Sequence, residues 1–355
     1  MEVANRAIGG ETLRMPLSPT DVPLLHGPAL TPMALVLAMV RAYEARGLDP
    51  GPVLKLAQIP TQTVHDPGAR ITASQMEVVS GAAMRELDDE ALGCFDRALP
   101  WGSYGLLARA SLSSPTLGVA LRRWCRHHAL LAADPLPVLE VMDDDARIAL
   151  RMRHVAGAMA ELCAVSLLRN IHGLASWYVD SRIPLHGAEF PYEPPPHVQA
   201  YAHLFDGPSR FGAEQAAIRF DARYLDLPLR RDEAAMNQLL QRALPLTVRS
   251  YRRDRLLALR VGQLLRARPG HSTESLAAAL SFSPRTLQRQ LAAEGTSLQA
   301  LKDDARRERA IELLQRTRRP IKQVALAAGF QNEKSFIRAF KGWTGVAPGA
   351  FRGQG

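Results

Sequence analysis

Apolar residues recur every three or four positions through the C-terminal part of the chain, and one arrangement of them occurs twice. Residues 275–291 hold the first copy and residues 321–340 hold the second. Each copy has a short apolar segment with a central alanine pair, then a turn, then a segment that is apolar on one side only. This pattern predicts two helix-turn-helix units, with turns at Ser281-Phe282-Ser283 and Gly329-Phe330-Gln331. The apolar positions between the units predict one long helix over Leu298–Arg316.

The N-terminal part mixes helical periods with alternating ones. Residues 135–142 and 146–152 alternate apolar and polar positions around Asp143-Asp144-Asp145, which predicts a hairpin. Further helices are predicted over 32–46, 72–87, Ser103–Leu112, 116–131, 156–178 and 232–243, and short strands over 188–190 and 216–220. The predicted fold class is an α+β N-terminal domain with a small antiparallel sheet, followed by an all-α domain with two helix-turn-helix units joined by a linker helix.

These patterns divide the chain into three regions. Residues 1–30 are rich in Pro, Gly and Thr without a period, so we expect a flexible leader. Residues 31–245 form the α+β domain, and residues 246–355 form the helical domain. The helical domain has 21 Lys and Arg against 8 Asp and Glu, whereas residues 1–245 have 23 against 27. A basic module joined to a mildly acidic one is typical of a nucleic-acid binder with a separate ligand or partner domain.

The cysteines argue against a disulfide framework. Cys94, Cys125 and Cys163 are widely separated and odd in number, which favours a reducing cytoplasm. No stretch approaches the roughly 20 apolar residues that span a bilayer. Neither the cysteines nor the histidines have metal-ligand spacing, and no glycine cluster forms a phosphate-binding loop. We therefore expect no membrane partner, no metal and no cofactor.

The second helix of each unit, called the reading helix below, carries side chains suited to base edges. In the first unit it is predicted over 283–293, with Leu287 and Leu291 on the core side. Arg pairs with guanine and Gln with adenine through two parallel hydrogen bonds, each pair giving about 1–3 kcal/mol of discrimination. The outward residues with this chemistry are Arg285, Gln288 and Arg289.

The second reading helix is predicted over 332–341, with Phe336 and Phe340 on the core side. Glu333 has the chemistry to accept a hydrogen bond from cytosine N4, and Lys341 can reach a phosphate. The outward residues predicted to contact DNA are Glu333, Lys334, Arg338 and Lys341. Solvated helix faces are the alternative for all these charged residues.

The predicted linker helix suits the spacing of two successive major grooves. Its length of about 28 Å follows from 1.5 Å per residue, and one turn of DNA is about 34 Å. A rigid helix of this length could hold two reading helices on one face of the duplex. Arginines expected along or beside it are Arg306, Arg307, Arg309, Arg316, Arg318 and Arg319. All six are predicted to make salt-dependent phosphate contacts, and Arg316 and Arg319 are the two predicted as DNA-binding site residues.

Several segments in order resemble the DNA-binding domain of AraC/XylS-type transcription regulators. They are Ser283-Pro-Arg-Thr-Leu-Gln-Arg289, Arg306-Arg-Glu-Arg-Ala310, Pro320-Ile321, Gly329-Phe330 and Trp343-Thr-Gly-Val-Ala-Pro348. The resemblance implies base contacts by Arg285, Gln288 and Arg289 in the first unit and by Glu333, Lys334 and Arg338 in the second. It also implies double-stranded promoter or operator DNA and RNA polymerase as partners, in a bacterial cytoplasm close to the nucleoid. Arg307 departs from the pattern, because many members carry an apolar residue there.

The N-terminal region is similar to the ligand-binding domain of the subgroup that includes the ornithine-utilisation regulator. The segments that carry the similarity include Gly47-Leu-Asp-Pro50, Gly102-Ser-Tyr-Gly105, Ser113-Ser-Pro-Thr-Leu117 and Arg210-Phe-Gly212. The resemblance implies a domain that binds a small-molecule effector and forms a homodimer, so that a metabolite changes transcription. Activation is the output that the family implies, with repression or ligand-independent DNA binding as alternatives.

Aromatic residues with a polar handle are candidates for lining an effector site. They are Trp101, Tyr104, Trp124, Trp177 and Tyr178. Ordinary core packing is the simpler explanation for each of them. For His127 and His128, which lie beside three arginines, a solvated helix face is the simpler explanation and an anion site is the alternative.

A sensor domain with enzymatic activity is a further alternative, and Cys94 would be its nucleophile. However, Leu92-Gly-Cys-Phe95 lacks the strand-turn-helix setting of a nucleophile elbow, and no Gly-x-Ser-x-Gly motif occurs. We therefore predict a regulator that is not an enzyme.

Overall fold

The structure, a computed structural model, describes residues 27–153, 157–241 and 254–352. The predicted domain boundary at residue 245 lies outside these residues. Most of the predicted leader does as well, but Ala29 and Leu30 belong to a strand.

The described residues form two compact units. Residues up to 175 and from 184 to 241 belong to the first unit, whereas residues 176–183 and those from 254 onward belong to the second. Each unit has its own secondary structure and its own buried apolar residues. They are described separately below.

The first unit contains eight helices and seven strands among the described residues. The helices are α1 Met33–Glu44, α2 Gly51–Leu56, α3 Ala73–Glu86, α4 Ser103–Leu112, α5 Leu117–Leu131, α6 Gly157–Val179 (whose last residues belong to the second unit), α7 Tyr201–Leu204 and α8 Glu233–Gln241. The strands are β1 Ala29–Pro32, β2 Arg70–Thr72, β3 Leu136–Met142, β4 Asp145–Arg151, β5 Leu185–Glu189, β6 Ser209–Arg210 and β7 Ala216–Asp221.

The main sheet has the strand order β3-β4-β7-β5-β6. Its centre is antiparallel, with Val138 opposite Ala149 and Ile148 opposite Ile218. Ala149 and Ile148 point to opposite faces and are both fully buried, so both faces of β4 are covered. The last pair, β5 with β6, is parallel, so the prediction of a wholly antiparallel sheet is wrong at this edge.

The predicted helices of the first unit are confirmed with shifts of one or two residues at their ends. Thr72 begins α3 with a capping box, because its hydroxyl accepts from Gln75 N while Gln75 Oε1 accepts from Thr72 N, both at 3.1 Å. The elements that the sequence did not predict are short ones, namely α2, α7, β1, β2 and β6. They are too brief to establish a hydrophobic period.

The second unit is all-helical over the described residues from 254 onward. Its helices are α9 Leu257–Ala267, α10 Thr273–Ala279, α11 Pro284–Ala293, α12 Leu298–Arg316, α13 Ile321–Ala327, α14 Glu333–Thr344 and α15 Pro348–Arg352. The predicted linker helix over Leu298–Arg316 is confirmed at both ends. Ser297 begins it by accepting a hydrogen bond from Ala300 N at 3.1 Å.

Two apolar cores lie in this unit, and α12 contributes to both. Its first part supplies Leu298 and Ala305 to a core with α9, α10 and α11. Its last part supplies Ala310, Leu313 and Leu314 to a core with α13 and α14. The linker helix therefore joins two separately packed helix-turn-helix units, the first formed by α10 and α11 and the second by α13 and α14.

Candidate DNA interface and effector site

The first reading helix is α11, and its beginning is well defined. Ser283 accepts a hydrogen bond from Thr286 N at 3.1 Å, and Pro284 stands at the first helical position, where its missing N–H costs nothing. Leu287 and Leu291 are fully buried, as the spacing predicted. The helix is thereby fixed in rotation about its own axis.

That rotation exposes the three side chains predicted to contact bases. Arg285, Gln288 and Arg289 are all exposed. Gln290, on the core side of the same helix, is buried, and its Oε1 accepts from Asp254 N at 3.3 Å. Of the two glutamines on this helix, Gln290 therefore stabilises the fold, whereas Gln288 is exposed to solvent. Base contact by the exposed residues stays a prediction.

The second reading helix is α14. Asn332 Oδ1 accepts from Ser335 N at 2.8 Å to begin it, and Phe336 and Phe340 are fully buried. The helix continues to Thr344, three residues beyond the predicted end at Lys341. Thr344 Oγ1 donates to Phe340 O at 2.8 Å in this added turn.

The outward face of α14 is more mixed than that of α11. Lys334, Arg338 and Lys341 are exposed, whereas Glu333 is half-buried. Ile337 lies among them with 36% of its surface exposed. This face therefore combines basic, acidic and apolar groups, and its contacts with bases also stay a prediction.

The turns of the two units place different residues in the same backbone conformation. Ser281 has φ of 57°, and Gly329 has φ of 84°. In each unit the next residue is a phenylalanine whose N–H donates to the carbonyl five positions back. Phe282 donates to Ala277 O at 2.8 Å, and Phe330 donates to Ala325 O at 2.9 Å. A left-handed residue is needed here to end one helix and begin the next, and glycine adopts it without the cost that a Cβ brings.

Ion pairs on α12 engage several of the arginines that the sequence assigned to phosphates. Arg307 lies 3.2 Å from Asp304, and Arg309 and Arg316 both pair with Glu312, at 2.8 and 3.5 Å. These pairs are solvent-exposed and therefore weak. Arg316 remains 78% exposed.

Arg306 has a packing role. Its guanidinium lies 5.3 Å from the ring centroid of Phe330, and its side chain is 28% exposed. Its predicted phosphate contact stays a prediction. Arg318 and Arg319 are exposed beyond the end of α12, and Arg319 O accepts from Arg352 Nη2 at 2.6 Å.

The five candidate effector residues are divided between the two units, since Trp177 and Tyr178 belong to the second. Trp101 is 47% exposed, and the guanidinium of Arg85 lies 4.8 Å from the centroid of the Trp101 ring. Tyr104 stacks on the buried ring of Trp124, with centroids 6.0 Å apart. Trp177 and Tyr178 are buried near the end of α6, with centroids 5.6 Å apart. Their role in effector binding stays a prediction.

His128 contradicts the expectation of a solvated helix face, since its side chain is fully buried. It lies one turn beyond Trp124 on α5, and its ring centroid is 5.2 Å from that of Trp124. Burial lowers the pKa of His128 to about 4, and Asp96 opposes this change only in part. The i, i+4 spacing from Trp124 was the sequence signal that could have placed His128 inside.

A buried polar network in the first unit was not predicted. Glu161 Oε1 accepts from Tyr201 Oη at 2.8 Å and lies 2.6 Å from His197 Nε2. The hydroxyls of Tyr192 and Tyr201 are 2.9 Å apart, and burial raises the pKa of both phenols. These groups satisfy one another, which is typical of a structural network.

Comparison with known proteins identifies both parts of the chain. Residues 47–229 match the family described as the arabinose-binding domain of AraC transcription regulator, N-terminal, and residues 276–354 match a helix-turn-helix domain. The ornithine utilization regulator of Pseudomonas aeruginosa is 28% identical over 335 residues, covering 93% of this chain and 98% of its own. The regulator VirS of Mycobacterium tuberculosis is 25% identical over 328 residues, covering 87% and 92%.

A solved structure also matches over most of its length. The transcriptional regulator CdpR of Pseudomonas aeruginosa covers 90% of this chain and 98% of its own at 19% identity, with a TM-score of 0.34. Within the residues that the structure describes, none of the helices has the length and apolarity required to cross a membrane. The paired helix-turn-helix units and the family match over residues 47–229 lead to one conclusion. This chain belongs to the AraC family of DNA-binding transcription regulators, with an α+β ligand-binding domain followed by a helical DNA-binding domain.

Proposed function

We propose that this regulator binds operator DNA through α11 and α14 and activates transcription in response to a small metabolite. The observation that carries the proposal is the pair of reading helices whose apolar sides are fully buried while their Arg, Gln and Lys side chains are exposed. Arg285, Gln288 and Arg289 would contact bases in one major groove. Lys334, Arg338 and Glu333 would contact bases in the next, with Lys341, Arg316 and Arg319 on phosphates.

Selection of binding sites from random double-stranded DNA by the full chain tests this assignment. We expect a consensus with two preferred blocks about one helical turn apart, since each unit carries its own reading helix. Repeating the selection with Arg289→Ala should erase the preference at one position of one block only. A consensus with a single block, or one unchanged by Arg289→Ala, would show that the assigned reading faces are wrong.

The effector is proposed to bind in the first unit, where Tyr104 and Trp124 stack inside the domain. Trp101 is exposed beside Arg85, and Trp177 and Tyr178 belong to the second unit, so the proposal assigns the site to Tyr104 and Trp124. A thermal-shift screen of metabolites handled by the products of neighbouring genes would identify the compound, since a ligand of the native state raises Tm by mass action. Ornithine belongs in the screen because a relative is named for its utilisation.

The remaining partners follow from the same proposal. An activator of this kind would contact RNA polymerase, form a homodimer through its N-terminal domain and work in the bacterial cytoplasm at the nucleoid. Reporter output from a selected site, with and without effector, separates activation from repression. Output that ignores every metabolite tested would favour ligand-independent DNA binding.

We further propose that the N-terminal domain is a sensor and not an enzyme. Cys94, the candidate nucleophile, is 4% exposed, and its thiol lies 3.9 Å from Met159 O. The neighbouring Cys94 and burial both raise the pKa of the Cys163 thiol. Iodoacetamide labelling should therefore modify Cys94 no faster than a free thiol. Much faster labelling of Cys94 would revive the enzyme hypothesis.

A further inference from the structure

Two buried rings in the first unit carry polar atoms that lack partners. Trp124 and His128 are 1% and 0% exposed. Among the described residues, Trp124 Nε1 and both ring nitrogens of His128 have no hydrogen-bond partner. An unpaired buried polar group costs about 1–3 kcal/mol. Native proteins therefore supply such groups with an ordered water or a ligand when no protein atom serves.

Phe95 and Tyr104 complete a group of four rings, called the ring cluster below. Phe95 meets His128 edge-on with centroids 5.4 Å apart, while Tyr104 stacks on Trp124. Both of these outer rings pack against a small apolar group made of Ala91, Leu99 and Ala132. The three unpaired polar atoms are therefore surrounded by aromatic and aliphatic side chains.

Two carboxylates near the ring cluster, Asp96 and Glu90, already have backbone partners. Asp96 accepts from the N–H groups of Ala133 and Asp134 at 3.2 Å. Glu90 accepts from the N–H groups of Gly102 and Tyr104 at 2.8 and 2.7 Å. Their negative charge disfavours an anionic ligand, and their engaged oxygens are poorly placed to bind a cationic one.

The protonation of the ring cluster defines which ligand group it can take. Burial lowers the pKa of His128 to about 4, so its imidazole is neutral near pH 7 and has one donor and one acceptor. The indole of Trp124 adds one donor. A group that only accepts would leave the acceptor nitrogen of His128 unpaired, and one that only donates would leave both N–H groups unpaired.

We propose that the ring cluster binds a small uncharged molecule that has an apolar or aromatic body and a hydroxyl or carboxamide group. That group accepts from Trp124 Nε1 and donates to the unprotonated ring nitrogen of His128. The proposal rests on the sensor function proposed above and adds to it the chemical class of the ligand and the participation of His128. The Glu161–His197–Tyr201 network, being satisfied internally, has no such need of a ligand.

A matched series of probes tests this class on the full chain. Benzyl alcohol, toluene and benzoate share one ring and differ in having a hydroxyl, no polar group or a negative charge. With ¹⁵N-labelled tryptophan, benzyl alcohol should shift the Trp124 indole resonance saturably. Its apparent affinity should be at least about tenfold above that of toluene or benzoate, the ratio that one good hydrogen bond provides. Equal shifts by toluene, or no saturable shift by any probe, would overturn the proposal.

Two ring-preserving variants separate recognition from structure. Trp124→Phe and His128→Phe each remove unpaired polar atoms and keep a ring, so we expect the melting temperature to hold or rise while the tenfold preference for benzyl alcohol disappears. A matched control is Trp343→Phe, which removes an indole from the second unit and should leave the preference intact. A fall in melting temperature in both ring-cluster variants would show that these atoms are paired by structural water, against the proposal.

DNA binding by the wild-type chain is measured on its selected site in the same samples. This measurement distinguishes a failure of the ring-cluster proposal from a failure of the proposed operator recognition. Failure of probe binding with normal DNA binding would overturn the ring-cluster proposal alone. Failure of sequence-specific DNA binding with saturable probe binding would overturn the proposed operator recognition and leave the ligand site standing.

Discussion

The two helix-turn-helix units share one backbone plan and reach it with different side chains. The core of the first is aliphatic, built on residues such as Leu276, Leu287 and Leu291. The core of the second is aromatic, with Phe330, Phe336 and Phe340 in ring contact at 5.4 to 5.6 Å. The helix-turn-helix backbone is therefore specified by a buried i, i+4 stripe combined with a left-handed turn. The buried residues themselves can be aliphatic or aromatic.

The outward faces of the units differ as well. The exposed polar residues of α11 predicted to contact bases are two arginines and a glutamine, whereas α14 combines Lys334 and Arg338 with a half-buried Glu333. Since base preference follows from side-chain chemistry, the two blocks of an operator should have different sequences. The buried side of each reading helix therefore determines how the unit folds, and the exposed side is expected to determine which bases it prefers.

The largest expected effect comes from removing an aromatic core residue. Phe336→Ala should cost about 3–5 kcal/mol, because it leaves a ring-sized cavity among the rings of the second core. In hydrogen exchange, amides of α13 and α14 should lose protection by more than about a hundredfold, which is the scale of such a loss. Amides of α11 should keep theirs.

Leu287→Ala is the matched change in the first core, with an expected cost of about 2–5 kcal/mol. It should weaken protection in α10 and α11 while sparing α14. If either variant weakened both units equally, the two cores would be one cooperative unit, and the separation of the units described above would be wrong.

The next effect is on base preference. Arg289→Ala and Arg338→Ala should each cost about 1–3 kcal/mol of discrimination at one position, in different blocks of the selected site. Competition binding against sites with single base changes measures this. As a control, Arg307→Ala should leave preference unchanged, because Arg307 pairs with Asp304 on the linker helix. Loss of preference in the same block for both variants would contradict the assignment of one block to each unit.

A smaller effect distinguishes the two turns. Gly329→Ala should lower stability by about 1–2 kcal/mol, the cost of a Cβ in the left-handed conformation. The space at Gly329 is not the reason, since a Cβ there would meet its nearest neighbours at 3.7 Å. Thermal unfolding of the second unit, followed through Trp343 fluorescence, measures the loss.

Ser281→Gly makes the reverse change in the first turn. It relieves the left-handed strain but adds freedom to the unfolded chain, so we expect a net change within about 0.5 kcal/mol. If Gly329→Ala and Ser281→Gly changed stability by equal, large amounts in the same direction, left-handed backbone strain would not explain the two turns.

The smallest effect is on affinity common to all DNA sequences. Arg319→Ala should weaken binding to every sequence and lower the salt slope by about one, as expected for one phosphate contact. Arg316→Ala should do somewhat less, because Glu312 already pairs with Arg316 at 3.5 Å. Titrations at several salt concentrations measure both slopes, and a change in base preference without a change in slope would refute the phosphate assignment.

The sequence predicted the second unit more completely than the first. Long amphipathic helices leave a strong period, which is why Leu298–Arg316 was placed at its observed ends. The pair β1–β2 joins residues about forty positions apart in three-residue to four-residue strands, and so short a segment has no period to detect. Short elements paired over long distances are therefore found only once the fold is known.

The candidate sites show the same limit. Exposure of Arg285 and Arg289 follows from the burial of Leu287 and Leu291, so local spacing was sufficient. The contact of Glu161 with His197 joins residues 36 apart, and nothing in the local pattern indicates it. His128 was misplaced because neighbouring arginines suggested a solvated face, although only one side of α5 is charged.

The single helix that joins two unlike units has a consequence for the arrangement of target sites. A symmetric dimer of identical reading helices recognises a palindrome, which is the same on both strands. Here α11 and α14 differ in sequence, and α12 fixes their order along the chain. The two base blocks that one chain recognises therefore follow each other in a defined order, and the site has a direction. Inverting a site within its promoter should therefore turn the bound protein end for end, and regulation should depend on site orientation as well as on distance.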